Sequence, residues 1–134
     1  MAEIGKDIKK AKQLLESGQL VAIPTETVYG LAANALDDGA VASIFSAKNR
    51  PEFDPLIVHV NSLEEASSYV REIPPQAAML AERFWPGPLT ILLEKKDVIP
   101  DLVTAGLPTV GLRCPDHSLT RVLLSELDFP LAAP

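Results

Sequence analysis

Short apolar runs alternate along the chain with stretches in which apolar residues recur at helical spacing. Ile8, Ala11, Leu14 and Leu15 form one such stripe, and it stops at Gly18, a residue suited to the position after a helix. Leu20 to Ile23 is a continuous apolar run and reads as a buried strand. Asp37 and Asp38 precede a second helix with Val41, Ile44 and Phe45 on one face, and acidic groups there complement the helix dipole. Pro51 forbids its continuation much beyond Lys48. Leu56 to Val60 is a second strand. Ser62 followed by Glu65 is a capping box for a short helix reaching about Val70. Pro75 opens another helix with Ala78, Leu80, Ala81 and Phe84 apolar, and Trp85-Pro86-Gly87-Pro88 ends it. Leu89 to Leu93 and Thr109 to Cys114 are further strands, Ser118 caps a helix carrying Leu119, Val122 and Leu123, and Phe129 to Ala133 begins a fifth strand. This alternation predicts a single layered α/β domain over residues 1–134, with a largely buried mixed sheet and flanking helices.

Composition narrows the picture. The 134 residues suffice for one domain with a sizeable core, and most of the prolines sit at the ends of apolar runs. A formal net charge of −6 argues against whole-molecule attraction to nucleic acid, although it leaves room for a local basic groove. The single cysteine, Cys114, excludes an internal disulfide and fits a reducing compartment. No window approaches the ~20 apolar residues of a membrane span, and the charged N-terminus does not read as a secretory signal. A cytoplasmic location is therefore expected. The chain stops at Pro134 directly after an apolar run, so the domain is expected to lack its C-terminal end.

Two islands carry candidate chemistry. Pro24-Thr25-Glu26-Thr27-Val28-Tyr29-Gly30-Leu31 places two hydroxyls, a carboxylate and a tyrosine after the first apolar run. Lys48-Asn49-Arg50-Pro51 places two cations on a proline-stiffened turn, before an apolar run that contains His59. An ammonium and a guanidinium so close suit an anionic ligand, at a strand end where α/β sheets bind small molecules. Plainer readings stand beside this one. Lys48 and Arg50 also fit a solvated helix end, and Thr25 to Tyr29 an ordinary turn. His59 fits a structural core histidine, and His117 a turn residue. Arg113, ending the Thr109–Leu112 strand, is either paired to a carboxylate or aimed at a ligand, and Gly111 permits close approach there. Two distant histidines and one cysteine argue against zinc, and neither the P-loop nor the dinucleotide fingerprint is present.

The two islands, with Pro55-Leu56-Ile57-Val58-His59-Val60, Phe84-Trp85-Pro86-Gly87-Pro88-Leu89-Thr90 and Val110-Gly111-Leu112-Arg113-Cys114-Pro115, resemble in order and spacing the signatures of the YrdC-like threonylcarbamoyl-AMP synthases. The resemblance spans about Gly18 to Pro134 and implies a twisted mixed β-sheet with a positively lined concavity. It implies a nucleotidyl transfer in which L-threonine, bicarbonate and ATP give threonylcarbamoyl-adenylate and pyrophosphate. A separate tRNA threonylcarbamoyl-transfer complex then modifies an adenosine beside the anticodon.

By the same resemblance, Lys48 and Arg50 match the family's catalytic cation pair at the ATP phosphates, with magnesium accompanying ATP. Thr109 looks like another nucleotide contact. Asp54 stands on the ATP side, where the family commonly has Asn. Thr27, His59 and Arg113 fall where the family holds L-threonine, with Thr25 and Tyr29 lining the same pocket. The family's Ser-x-Asn motif, which follows the last strand, is absent. Two other readings remain open: a carbamoyl-adenylate-handling domain of the hydrogenase-maturation type, and an RNA-binding module that uses the concavity for weak binding without catalysis.

Overall fold

The computed structural model describes residues 8–24, 29–48 and 55–134. Helix α1 (Ile8–Glu16) ends as its sequence dictates. Gly18 takes a positive φ of 84°, its N–H donates to the Leu15 carbonyl and that of Gln19 to the Leu14 carbonyl. These two bonds form a Schellman closure, which a side chain at position 18 would strain. Strand β1 (Val21–Pro24) follows and pairs antiparallel with β2 (Tyr29–Asn34).

Helix α2 (Asp38–Lys48) is capped by Asp37, whose Oδ1 accepts the Ala40 N–H at 3.1 Å. After β3 (Ile57–His59), α3 (Leu63–Ala66) opens on the expected capping box. Ser62 Oγ accepts the Glu65 N–H at 3.1 Å, while Glu65 reaches back to accept the N–H of Asn61, one residue before the cap. This helix ends at Ala66 rather than near Val70. Ser67 to Tyr69 turn instead, and Val70 forms an isolated bridge with Lys95.

Helix α4 (Pro75–Phe84) buries Ala77 and Ala81 but leaves Leu80 and Phe84 largely exposed, so its packing stripe is smaller than the apolar residues suggest. Strand β4 (Ile91–Glu94) leads through a long connection into β5 (Thr109–Arg113). Buried Lys95 organises that connection, donating from Nζ to the Ile99 carbonyl at 2.9 Å and pairing with Asp101 Oδ1 at 3.0 Å. Helix α5 (Ser118–Glu126) is capped by His117, not Ser118. The Nδ1 of His117 accepts the Leu119 N–H at 3.3 Å, so the residue expected in a turn supplies the cap. Strand β6 (Leu131–Ala133) completes the sheet.

Among the described residues six strands form one mixed sheet in the order β1-β2-β6-β3-β5-β4, flanked by helices on both faces. All neighbours are antiparallel except β3 and β5. Five of the strands correspond to the expected runs, and β2 is an addition. Its sequence, Tyr29-Gly30-Leu31-Ala32-Ala33-Asn34, is rich in small residues of low strand preference. It becomes a strand because β1 and β6 pair with its two sides.

Alternate residues point to opposite faces, and the two faces are covered differently. One face buries Ala33, Ala132, Val58, Val110, Leu112, Ile91 and Leu93 under Val41, Ile44 and Phe45 of α2, Ala66 of α3 and Ala77 and Ala81 of α4. The other buries Val21, Ile23, Ala32, Leu131 and Ala133 under Leu15 of α1 and Leu123 and Leu124 of α5. Among the described residues that second core reaches only β1, β2 and β6. On the same face of β3, β5 and β4, the residues Ile57, Thr109, Gly111, Arg113, Leu92 and Glu94 belong to neither core.

Candidate functional site

This half-face, which neither apolar core covers among the described residues, is built by register. On β5, Thr109, Gly111 and Arg113 share the face, and the outer two stand about 13 Å apart at ~3.3 Å per residue. β3 runs parallel alongside, so Ile57 lies beside Gly111 and His59 beside Arg113. β4 runs antiparallel on the other side, setting Leu92 opposite Gly111 and Glu94 opposite Thr109. Thr109, Gly111 and Arg113 are each partly exposed, and Leu92 is 68% exposed. Gly111 keeps this surface low. A Cβ there would come within 3.1 Å of Thr90 Cγ2 and 3.6 Å of Leu92 Cδ2.

His59 is 2% exposed, and its Nδ1 lies 3.2 Å from the Ile57 carbonyl. A carbonyl can only accept, so Nδ1 carries the proton and donates. In the neutral ring that leaves Nε2 as an acceptor. The Arg113 carbonyl accepts the Val60 N–H at 2.9 Å, which locks the ends of β3 and β5 together beneath the pair.

Strand directions place the other candidates. The end of β1, the starts of β2, β3 and β5 and the end of β6 all lie at one edge of the sheet, because β2, β3 and β5 run one way and β1 and β6 the other. Tyr29 opens β2 at this edge, and Thr109 opens β5 there. Lys48 closes α2, which leads back toward Pro55 and the start of β3. Thr25, Thr27, Arg50 and Asp54 fall in residues 25–28 and 49–54, outside the described residues. Connectivity anchors their segments at Pro24 and Tyr29, and at Lys48 and Pro55. The structure thus brings Thr109, His59 and Arg113 onto one face of the sheet, while most of the two candidate islands lies outside the described residues.

Two features of this face, and one contact behind the covered half, were not legible in the sequence. Glu94 faces Thr109 and Leu92 faces Gly111 only through antiparallel register, which no local signal gives. Thr120, on α5, is 1% exposed and donates its hydroxyl hydrogen to the Pro24 carbonyl, far away in the chain. Among the described residues no three histidine, cysteine, aspartate or glutamate side chains gather as a metal cage. No described helix is long and apolar enough to cross a membrane.

Comparison with known proteins bears on the family and the fold. A family profile that groups Sua5, YciO and YrdC, described as telomere recombination, matches residues 13–134. A threonylcarbamoyl-AMP synthase from Pyrococcus abyssi is 51% identical over 127 residues, covering 95% of this chain and 37% of that relative. The crystal structure of P. abyssi Sua5 complexed with L-threonine matches with a TM-score of 0.93 at 50% identity, over 98% of this chain and 39% of the other. Full-length HypF in its phosphate- and nucleotide-bound form matches with a TM-score of 0.82 at 30% identity, over 95% of this chain and 20% of that one. The chain therefore spans little more than a third of the length of its threonylcarbamoyl-AMP synthase relative.

Proposed function

The chain belongs to the Sua5, YciO and YrdC family, and from that premise we propose that it carries the substrate site of a threonylcarbamoyl-AMP synthase. In this reading the reaction is a nucleotidyl transfer. The L-threonine amine and bicarbonate condense to a carbamate with loss of water, and a carbamate oxygen attacks the α-phosphorus of ATP as pyrophosphate leaves. The product serves a tRNA threonylcarbamoyl-transfer complex, in the cytoplasm.

Lys48 and Arg50 hold the triphosphate, whose negative charge fixed cations stabilise without reorganisation. Thr109 contacts the nucleotide, with Asp54 near the same phosphates. Arg113 forks onto the L-threonine carboxylate, His59 beside it offers a ring nitrogen, and Thr27, Thr25 and Tyr29 complete the pocket. Magnesium arrives with ATP and neutralises phosphate charge. It takes few protein ligands beyond one or two carboxylates.

The observation that carries the reading is the His59–Arg113 pair in register on the uncovered half-face, in a chain 50% identical to a protein crystallised with L-threonine. The test is calorimetric titration of this chain with L-threonine, glycine and ATP, followed by pyrophosphate assays. Binding of L-threonine over glycine, with pyrophosphate release dependent on bicarbonate, is the expected result. Equal response to glycine, or nucleotide turnover without any amino acid, would overturn the reading. The second outcome would favour carbamoyl-adenylate handling, which the HypF likeness keeps in view. Salt-dependent RNA binding without L-threonine binding would favour the RNA module.

A further inference from the structure

Among the described strands β3 and β5 are the one parallel pair, and the helices that follow them pack on opposite faces of the sheet. Ala66 of α3 joins the first core, whereas Leu123 and Leu124 of α5 join the second. Such a divergence opens a crevice outside the carboxyl ends of the two strands, where open α/β sheets accept small ligands. A cavity of about 420 Å³ lies at those ends, within the size range of small-molecule sites. Asn61 and Leu63 line it just after β3, Cys114 just after β5, and Arg121 from α5. α4 supplies its remaining wall. Ala78, Ala81 and Glu82 share one face of that helix, and Trp85 follows one turn later. The two alanines leave open a hollow that longer side chains would fill.

The polar groups of this cavity are not satisfied by one another. Asn61 Oδ1 is removed from solvent yet accepts no hydrogen bond. A buried acceptor in that state costs free energy until a donor is supplied. Arg121 is half-buried, and among the described residues its guanidinium makes neither an ion pair nor a hydrogen bond. Glu82, exposed on α4, is likewise unpaired. The Trp85 indole is spent as a donor, since Nε1 donates to the Leu89 carbonyl at 2.8 Å, so it offers ring surface only. A guanidinium suits a carboxylate, and a carboxylate suits an ammonium. We infer that the crevice binds a free α-amino acid with an apolar or aromatic side chain. Its carboxylate pairs with Arg121, its ammonium supplies the donor that Asn61 lacks beside Glu82, and its side chain lies over Leu63, Trp85 and the two alanines. Threonine, with a short polar side chain, gains little from these walls. None of the groups used here belongs to the proposed L-threonine site, so the inference stands apart from the function proposed above.

The test uses three probes: L-phenylalanine, 3-phenylpropanoate, which lacks the amino group, and 2-phenylethylamine, which lacks the carboxylate. Each is titrated into the chain and followed by calorimetry and by backbone amide NMR shifts. L-phenylalanine should move the amides of Asn61, Ala78, Glu82 and Arg121 together. It should bind about tenfold or more tightly than either analogue, since each analogue loses a hydrogen bond between charged groups. Arg121→Gln should weaken L-phenylalanine by about tenfold or more and leave 2-phenylethylamine unchanged. Ala78→Leu, at a partly exposed helical position, should fill the hollow and abolish binding without lowering the melting temperature. Should Ala78→Leu unfold the chain, Arg121→Gln decides alone. Absence of L-phenylalanine binding, equal binding of 3-phenylpropanoate, shifts centred on His59 and Arg113 instead, or full affinity in Arg121→Gln would each overturn the proposal.

Discussion

The two halves of the second sheet face share one backbone pattern and serve opposite ends. Over β1, β2 and β6 the outward positions are Val21, Ile23, Ala32, Leu131 and Ala133, and α1 and α5 bury them. Over β3, β5 and β4 the equivalent positions are Ile57, His59, Thr109, Gly111, Arg113, Leu92 and Glu94; among the described residues none joins either apolar core, and His59 alone of them is buried. The first face, by contrast, is packed along five of the six strands, β2 to β6. Stability is thus supplied by the five packed strands of one face and by half of the other, while the remaining half holds polar groups, of which His59 is buried.

The largest test of that division is a pair of matched truncations. Leu131→Ala, in the covered half and 0% exposed, should cost about 2–5 kcal/mol of unfolding free energy. Leu92→Ala, 68% exposed on the uncovered half, should cost less than about 0.5 kcal/mol. Urea unfolding of both variants measures the contrast. Equal losses would mean that the second half is packed after all.

Ligand affinity should divide the other way. Arg113→Ala should weaken L-threonine binding by about 1.5–3 kcal/mol, the range for hydrogen bonds to a charged group. Arg113→Lys should recover little, because an ammonium cannot fork onto a carboxylate. Titration calorimetry checks both, and full recovery by lysine would point to simple charge attraction.

Gly111→Ala sharpens the comparison further. The added Cβ meets only the side chains of Thr90 and Leu92, both exposed and able to shift. Stability should change by less than about 1 kcal/mol, since alanine also costs less backbone entropy than glycine. L-threonine or ATP affinity should nevertheless fall, because the floor of the site rises. Unchanged affinity would move the ligand away from β5.

The smallest effect concerns the packed face. Burial raises the pKa of Glu65 above its ordinary value of 4.5, against a smaller lowering by the Asn61 N–H hydrogen bond. A raised folded pKa favours the protonated fold. That contribution is present below the unfolded pKa and is lost as pH rises through the folded one. Glu65→Gln keeps an acceptor for Asn61 and cannot ionise. Its stability relative to the parent should therefore improve from pH 4 to pH 7 in denaturant unfolding. No change in the difference would place the titration elsewhere.

What the amino-acid sequence determined by itself was mostly local. The α1 stripe and its Gly18 stop, the Asp37 cap of α2 and the Ser62–Glu65 box follow from contacts within a few residues, and so they can be read without the fold. The family motifs were legible for a related reason, since each island lies within one short segment. Tertiary structure decided whatever depends on pairing across the chain. Strand β2 exists because β1 and β6 hold a small-residue segment that has little preference of its own. α4 faces inward through Ala77 and Ala81, because the space above the sheet, not the size of Leu80 and Phe84, chose the stripe. His117 rather than Ser118 caps α5, because the chain enters that helix one residue earlier than its serine suggests. The pairing of His59 with Arg113, and the tie from Thr120 to Pro24, join residues too far apart for any local propensity to encode. Register and helix docking are collective properties of the packed core, and they alone settle which side chains share a surface.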